Sequence, residues 1–178
     1  MSESPEKNNS DNQAAESAPA GPAPIEAGPI CKVLQEKGVS LTPVAAGNDG
    51  FEIIETTGTD AVKIAEILKS APLSFDMLVS CAGMDWKTHR SAVYHAYSTE
   101  THQWVVLKVK ADENDTLPSL TGVWMAADWH EREAFDLFGI QFTGHPNLAR
   151  ILMPDDWLGY PMRKDYKMED PRLVWNER

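Results

Sequence analysis

Residues 127–166 read ADWHEREAFDLFGIQFTGHPNLARILMPDDWLGYPMRKDY. The first third has the pattern of a short charged helix. Asp128 followed by Glu131 has capping-box spacing, with Asp as the cap. Gly139 stands where a helix needs a left-handed residue to end. The pattern predicts a helix over Trp129 to Phe138. On a wheel of ~100° per residue, Ala134, Phe135, Leu137 and Phe138 form an apolar arc. Arg132, Glu133 and Asp136 gather on the other side, beside Trp129. Glu131 falls inside the apolar arc, where an unpaired charge is very costly. It therefore requires a donor, either a partner within this fold, such as an arginine on the core side, or a group on another chain. Arg132 and Asp136 are one turn apart and are expected to form a surface ion pair worth about 0.5 kcal/mol.

Beyond Gly139 the helical period stops. Ile140, Gln141 and Phe142 alternate briefly like a strand. Pro146, Pro154 and Pro161 then hold the residues before them extended, so no helix runs through this segment. Its apolar groups are Phe142, Leu148, Ile151, Leu152, Met153, Trp157, Leu158, Tyr160, Met162 and Tyr166. An extended strap cannot bury these against itself. They pack either on this domain's own surface or on another protein, and composition leaves both open. Trp, Tyr, Met and Arg are enriched in interface cores. Arg150, Arg163 and Lys164 alternate with Asp155, Asp156 and Asp165, a mixture that suits a protein partner of complementary charge.

Upstream, Pro29 to Lys37 reads as a helix with Pro in its first turn and Gly38 just past its end. Val39–Val44 and Phe51–Thr56 read as strands around an Ala-Gly-Asn-Asp-Gly turn. A second helix, capped by Thr59 or Asp60, runs to about Ser70 and turns Val62, Ala65, Ile67 and Leu68 inward. Phe75–Ala82 is apolar on both faces, the pattern of a buried central strand. Val93–Ser98 and Gln103–Lys110 pair as a hairpin around Thr99–His102. Pro118 opens a helical turn through Trp124. The sum is an α+β fold: a small mixed or antiparallel sheet covered by helices. Three regions follow: a disordered acidic tail over 1–28, an α+β domain over 29–138, and an extended partner-docking segment over 139–178. The tail carries Glu3, Glu6, Asp11, Glu16 and Glu26 against Lys7 and is too polar to repay ordering.

The formal charge of -11 argues against nucleic acid, which needs clustered Lys and Arg. The two cysteines, Cys31 and Cys81, form no CxxC pair, so no thiolate cage for zinc or iron–sulfur is expected. No apolar run nears the ~20 residues that span a bilayer. The N-terminus has neither a basic n-region nor an apolar h-region, so no secretory signal is expected. His130-Glu131 is not a zinc-protease helix, because position 134 is Ala rather than a second His. No glycine-rich phosphate loop follows a strand, and no triad spacing stands out.

ERE, an acid and two apolar residues, GHP, ILMP, DDW, GYP and RKDY occur in one register. They resemble the thirty-kilodalton subunit of complex I, called C in bacteria and J in cyanobacteria and chloroplasts. The match is dense over about 118–166, and LARILMPDDW is most similar to the J form. Ala149 departs from the basic residue or Pro of many relatives, and Met162 replaces a usual Leu.

The resemblance implies a non-catalytic structural subunit in the peripheral arm of a proton-translocating quinone reductase. It implies no catalytic, cofactor or metal residue in this chain, with iron–sulfur clusters and plastoquinone held by neighbouring subunits. In the J form it implies ferredoxin as donor and cyclic electron flow and respiration as roles. The location implied is peripheral, on the cytoplasmic or stromal face of a thylakoid membrane, through the complex alone. The partner-docking residues expected are Glu131, Arg132, Glu133, Asp136, His145, Arg150, Asp156, Trp157, Arg163, Lys164, Asp165 and Tyr166. The other readings are a soluble protein-binding adaptor and a stand-alone acid–base enzyme using Glu131 or His130.

Overall fold

The strand Trp104–Lys110 (β5) sits at the centre of a five-stranded sheet ordered β1-β2-β5-β4-β3. The computed structural model describes residues 28–44 and 50–167. The predicted tail before Gly28, most of the turn at 46–50 and everything after Lys167 lie outside the described residues. In chain order the elements are α1 (Pro29–Glu36), β1 (Thr42–Val44), β2 (Glu52–Thr57), α2 (Gly58–Lys69), β3 (Met77–Asp85), β4 (Arg90–Tyr97), β5, β6 (Thr116–Pro118), α3 (Ala127–Phe138) and β7 (Gln141–Thr143).

The β4–β5 hairpin forms as predicted, with Tyr94 opposite Leu107 and Ala96 opposite Val105. β5 then runs parallel to β2, Ile54 facing Leu107, so the sheet is mixed and the fold is α+β. Ile54, Tyr94, Val105, Leu107 and Val109 share the inward face and are sealed from solvent beneath the helices. α2 buries Ala61, Ile64, Ala65 and Leu68, an i, i+3, i+4, i+7 stripe. Ala65 and Leu68 turn inward as predicted, whereas Val62 and Ile67 are only partly buried and Ala61 and Ile64 take the core positions instead. No side chain caps α2, so the caps expected of Thr59 or Asp60 are absent.

Three further expectations are corrected. The strand over 77–85 is not central. Among the described strands it pairs only with β4, so its apolar outer residues are edge residues. Its inner face meets α3, where a Cβ on Gly83 would overlap the Phe138 ring. Pro118 closes a short strand rather than opening a helix; β6 pairs in parallel with β7. Asp128 is not a helix cap. The chain before α3 winds through tight turns in which Leu120 accepts from Val123 and Trp124, and Met125 accepts from Asp128. The first N–H groups are thereby paired before a side chain is needed, and α3 begins at Ala127. At the far end Gly139 adopts φ +75°, the left-handed residue that the sequence required.

Candidate functional site

α3 presents two fully buried carboxylates on different sides, and each organises a different part of the molecule. Glu131 points into the core. Its Oε1 accepts the Leu120 N–H at 2.7 Å and the Tyr94 hydroxyl at 3.2 Å; its Oε2 accepts the Ser119 hydroxyl at 2.6 Å. These donors lie within this fold, the first of the two alternatives, but they are neutral groups rather than an arginine, and no second polypeptide is needed. Burial pushes the Glu131 carboxyl above its ordinary range, against the opposing pull of those hydrogen bonds. Beside it, burial and the Glu131 charge also raise the Cys81 thiol and the Tyr94 hydroxyl. Glu131 is closed off from solvent, which is the wrong place for a base that must meet a substrate.

Asp136 points the other way, into the strap. Its Oδ2 accepts three consecutive backbone N–H groups: Ile151 at 3.0 Å, Leu152 at 2.7 Å and Met153 at 2.9 Å. Its Oδ1 accepts Arg150 Nη1 at 2.7 Å. Burial alone would raise this carboxyl, but the Met153, Leu152 and Ile151 amides and the Arg150 guanidinium outweigh it and hold it below the ordinary range. The expected Arg132–Asp136 surface pair is therefore absent. Asp136 is taken by the strap, and Arg132 Nε instead donates to the Ala149 carbonyl at 3.1 Å while its guanidinium covers Trp129.

The strap's two arginines act as internal staples. Arg150 Nη2 donates to the Gly159 carbonyl at 3.0 Å, closing the loop over 150–159. Arg163 Nε donates to the Phe138 carbonyl at 2.6 Å, covering the exposed end of α3. Tyr160 lies between them, 5.3 Å from Arg150 and 4.4 Å from Arg163. Arg163 also approaches Asp115, 3.6 Å away, which pairs with Arg90. The Met162 N–H donates to the Leu137 carbonyl, and the Lys164 N–H donates to Asp85 Oδ2 at 2.8 Å. His145 is enclosed, with Nδ1 accepting the Asn147 N–H and Nε2 3.2 Å from the Asp128 carbonyl. Tyr166 donates from its hydroxyl to the Leu158 carbonyl. Trp157 is half-buried, and its indole N–H finds no acceptor among the described residues. Glu133, Asp156 and Asp165 are exposed.

Of the residues singled out from sequence, Asp136, Arg150 and Arg163 thus converge on one joint, and Glu131 stands apart from it. Asp115, Asp85, Tyr94 and Ser119 complete the two clusters and were not marked, and Tyr160, read only as an apolar strap residue, joins them. Ser119 and Tyr94 reach Glu131 across 12 and 37 residues of chain, a separation that leaves no local pattern. Once the joint is made, Leu152 (59%), Leu158 (71%) and Met162 (55%) still face outward, as do Trp129 and Met125. Among the described residues no three His, Cys, Asp or Glu side chains gather where a metal ion could sit. None of the described helices is long and apolar enough to cross a membrane.

Residues 54–172 match the model of the family described as respiratory-chain NADH dehydrogenase, 30 Kd subunit. The C subunit of the NADH-quinone oxidoreductase of Roseiflexus sp. (strain RS-1) is 49% identical over 123 residues, covering 65% of this chain and 71% of that one. The fused C/D subunit of the same type of enzyme from Escherichia coli O6:K15:H31 is 40% identical over 150 residues, covering 78% of this chain but 25% of the relative. A trypsin-resistant fragment of Nqo5 superposes with TM-score 0.53 at 26% identity, over 66% of this chain and 97% of the fragment. A chain of the membrane-bound sulfane sulfur reductase, an archaeal respiratory membrane complex, shares the fold at TM-score 0.66 and 22% identity, over 79% and 85%. With two thirds of its length inside the family model and this agreement in sequence and fold, the chain belongs to the 30 Kd subunit family of the respiratory-chain NADH dehydrogenase, the complex I type of NADH-quinone oxidoreductase.

Proposed function

We propose that this chain is a non-catalytic brace in the peripheral arm of a complex I-like, proton-translocating assembly, and that its strap is the docking surface. One observation carries this reading. The strap is fastened to α3 through its backbone and arginines, yet Leu152, Leu158 and Met162 remain more than half exposed. A segment that folded only to cover its own domain would turn such side chains inward. The docking residues are the outward ones, with Trp157, Asp156, Lys164 and Asp165 beside them. Glu131, Asp136, Arg150 and Arg163 hold the surface in shape from behind.

Electrons pass through iron–sulfur centres of neighbouring subunits, and those neighbours frame the quinone cavity. In the Escherichia coli relative, the region similar to this chain is a quarter of a polypeptide whose name joins C and D. That supports a D-type neighbour as the strap's partner. The wording LARILMPDDW at 148–157 supports the finer reading of a photosynthetic form, fed by ferredoxin and reducing plastoquinone at a thylakoid surface.

Purification of the native assembly through a tag on this chain tests both levels. A large complex with quinone reductase activity, and no activity from the chain alone, is the expected result. A small species at every ionic strength would favour the adaptor reading and overturn the brace. Assay of the complex with NADH, NADPH and reduced ferredoxin, with extraction of its quinone, decides the finer reading.

A further inference from the structure

The edge strand β3 carries no Lys, Arg or Pro between Met77 and Met84, the residues that usually discourage pairing at a sheet edge. Instead it shows Met77 (48%) and Val79 (40%) to solvent. The register of β3 shifts between Leu78 and Ser80, so Val79 is the extra residue of a bulge. Beyond the bulge, β3 borders a cleft of ≈ 400 Å³ between its edge and α3, lined in part by Ser80, Ala82, Leu137 and Phe138. Small residues on the strand keep this cleft open. Met162 of the strap and the exposed Glu133 also line it, so the cleft reaches the outward face of the strap. Glu133 is exposed and forms no ion pair among the described residues.

We propose that the β3 edge and this cleft receive an extended segment of a neighbouring polypeptide, which pairs with β3, seats an apolar side chain in the cleft and sets a Lys or Arg against Glu133. The row of edge N–H and C=O groups selects a polypeptide backbone over a lipid or a small molecule. The apolar floor takes one side chain, because alternate residues of a strand face one side. The unpaired carboxylate at the rim selects a cation. This rests on the assembly reading above and shares Met162 with the strap's outward face, but the β3 edge and Glu133 lie outside the strap, so the two can fail separately.

Amide hydrogen exchange of the full chain, free and within the purified complex, tests it. On assembly the outward-pointing amides of 78–84, those that do not bond β4, slow by about tenfold or more. If the strap becomes protected while these amides exchange as in the free chain, the edge proposal is overturned and the brace survives. If these outward amides are already slow in the free monomer, or slow only as the free chain dimerises, the occupant is not a neighbouring subunit and the proposal fails. Val79→Lys and Glu133→Lys are read by competition with the unaltered chain for incorporation into the complex. Both are expected to lose that competition by about tenfold, and incorporation equal to the unaltered chain overturns the proposal. Should Val79→Lys not fold, the exposed Glu133→Lys and the exchange data decide.

Discussion

Asp136 Oδ2 lies 2.7 Å from the Leu152 amide nitrogen, with the amides of Ile151 and Met153 on either side. One oxygen thus fixes three consecutive strap residues, and the other oxygen holds Arg150, which in turn holds Gly159. The strap has no regular structure over this stretch, so these bonds replace a helix or strand ladder. The carboxylate that the helix wheel placed on a solvated face is the fastener of the strap. Its helix supplies the rigidity that the strap lacks.

Asp136→Ala leaves three amides without their acceptor and takes the carboxylate from Arg150, which keeps only backbone carbonyls, and is expected to cost about 3 kcal/mol. Strap amides at 151–153 should exchange freely, while β4 and β5 keep their protection. Thermal melting together with residue-resolved exchange checks this. Uniform loss of protection over the whole domain would show that the joint is not local.

The two buried carboxyls give opposite pH dependence. Asp136 is depressed below its ordinary 3.8, so its stabilisation is present above that value and is lost as pH falls through the lower folded value. Glu131 is raised above its ordinary 4.5, so its contribution is full below that value and is lost as pH rises through the higher folded value. Glu131→Gln can still accept from Leu120 and Tyr94 and is expected to flatten the decline above 4.5. Asp136→Asn is expected to flatten the acid limb instead. Urea midpoints from about pH 3 to 8 separate the two. A Glu131→Gln profile parallel to the unaltered chain would contradict the assignment.

Gly139→Ala combines two costs. At φ +75° a side chain is strained, and its Cβ would collide with Arg163 and Tyr160. The expected loss is about 2 kcal/mol, read as a lower urea midpoint. Arg163 would also be pushed from the Phe138 carbonyl, so exchange should quicken at Met162, whose N–H donates to Leu137.

Local chemistry made some of this readable. Gly139 ends α3 because a residue without a Cβ takes a left-handed backbone at least cost, and the β4–β5 hairpin follows from two apolar runs joined by a short polar turn. Hydropathy alone could not place β3 at an edge. A strand apolar on both faces looks the same whether a second strand or a partner covers it. The partners of Glu131 and Asp136 were unreadable for a related reason. A wheel shows which face a carboxylate occupies, but not whether a distant hydroxyl or a returning loop meets it. The arginines of the strap read as mixed surface charge, whereas the backbone carbonyls they reach leave no trace in composition.

Leu158→Asp separates folding from docking. Leu158 is 71% exposed, and its side chain contributes little to the free domain. Melting of the purified chain should therefore shift by no more than about 0.5 kcal/mol. In the assembly the same position is expected to meet an apolar surface, where a buried unpaired carboxylate is strongly unfavourable. Incorporation into the native complex, followed by native electrophoresis and quinone reductase activity, should fall sharply, and Leu152→Asp should behave alike. If both variants assemble and turn over like the unaltered chain, the outward face of the strap meets only water, and the docking surface lies elsewhere on the molecule.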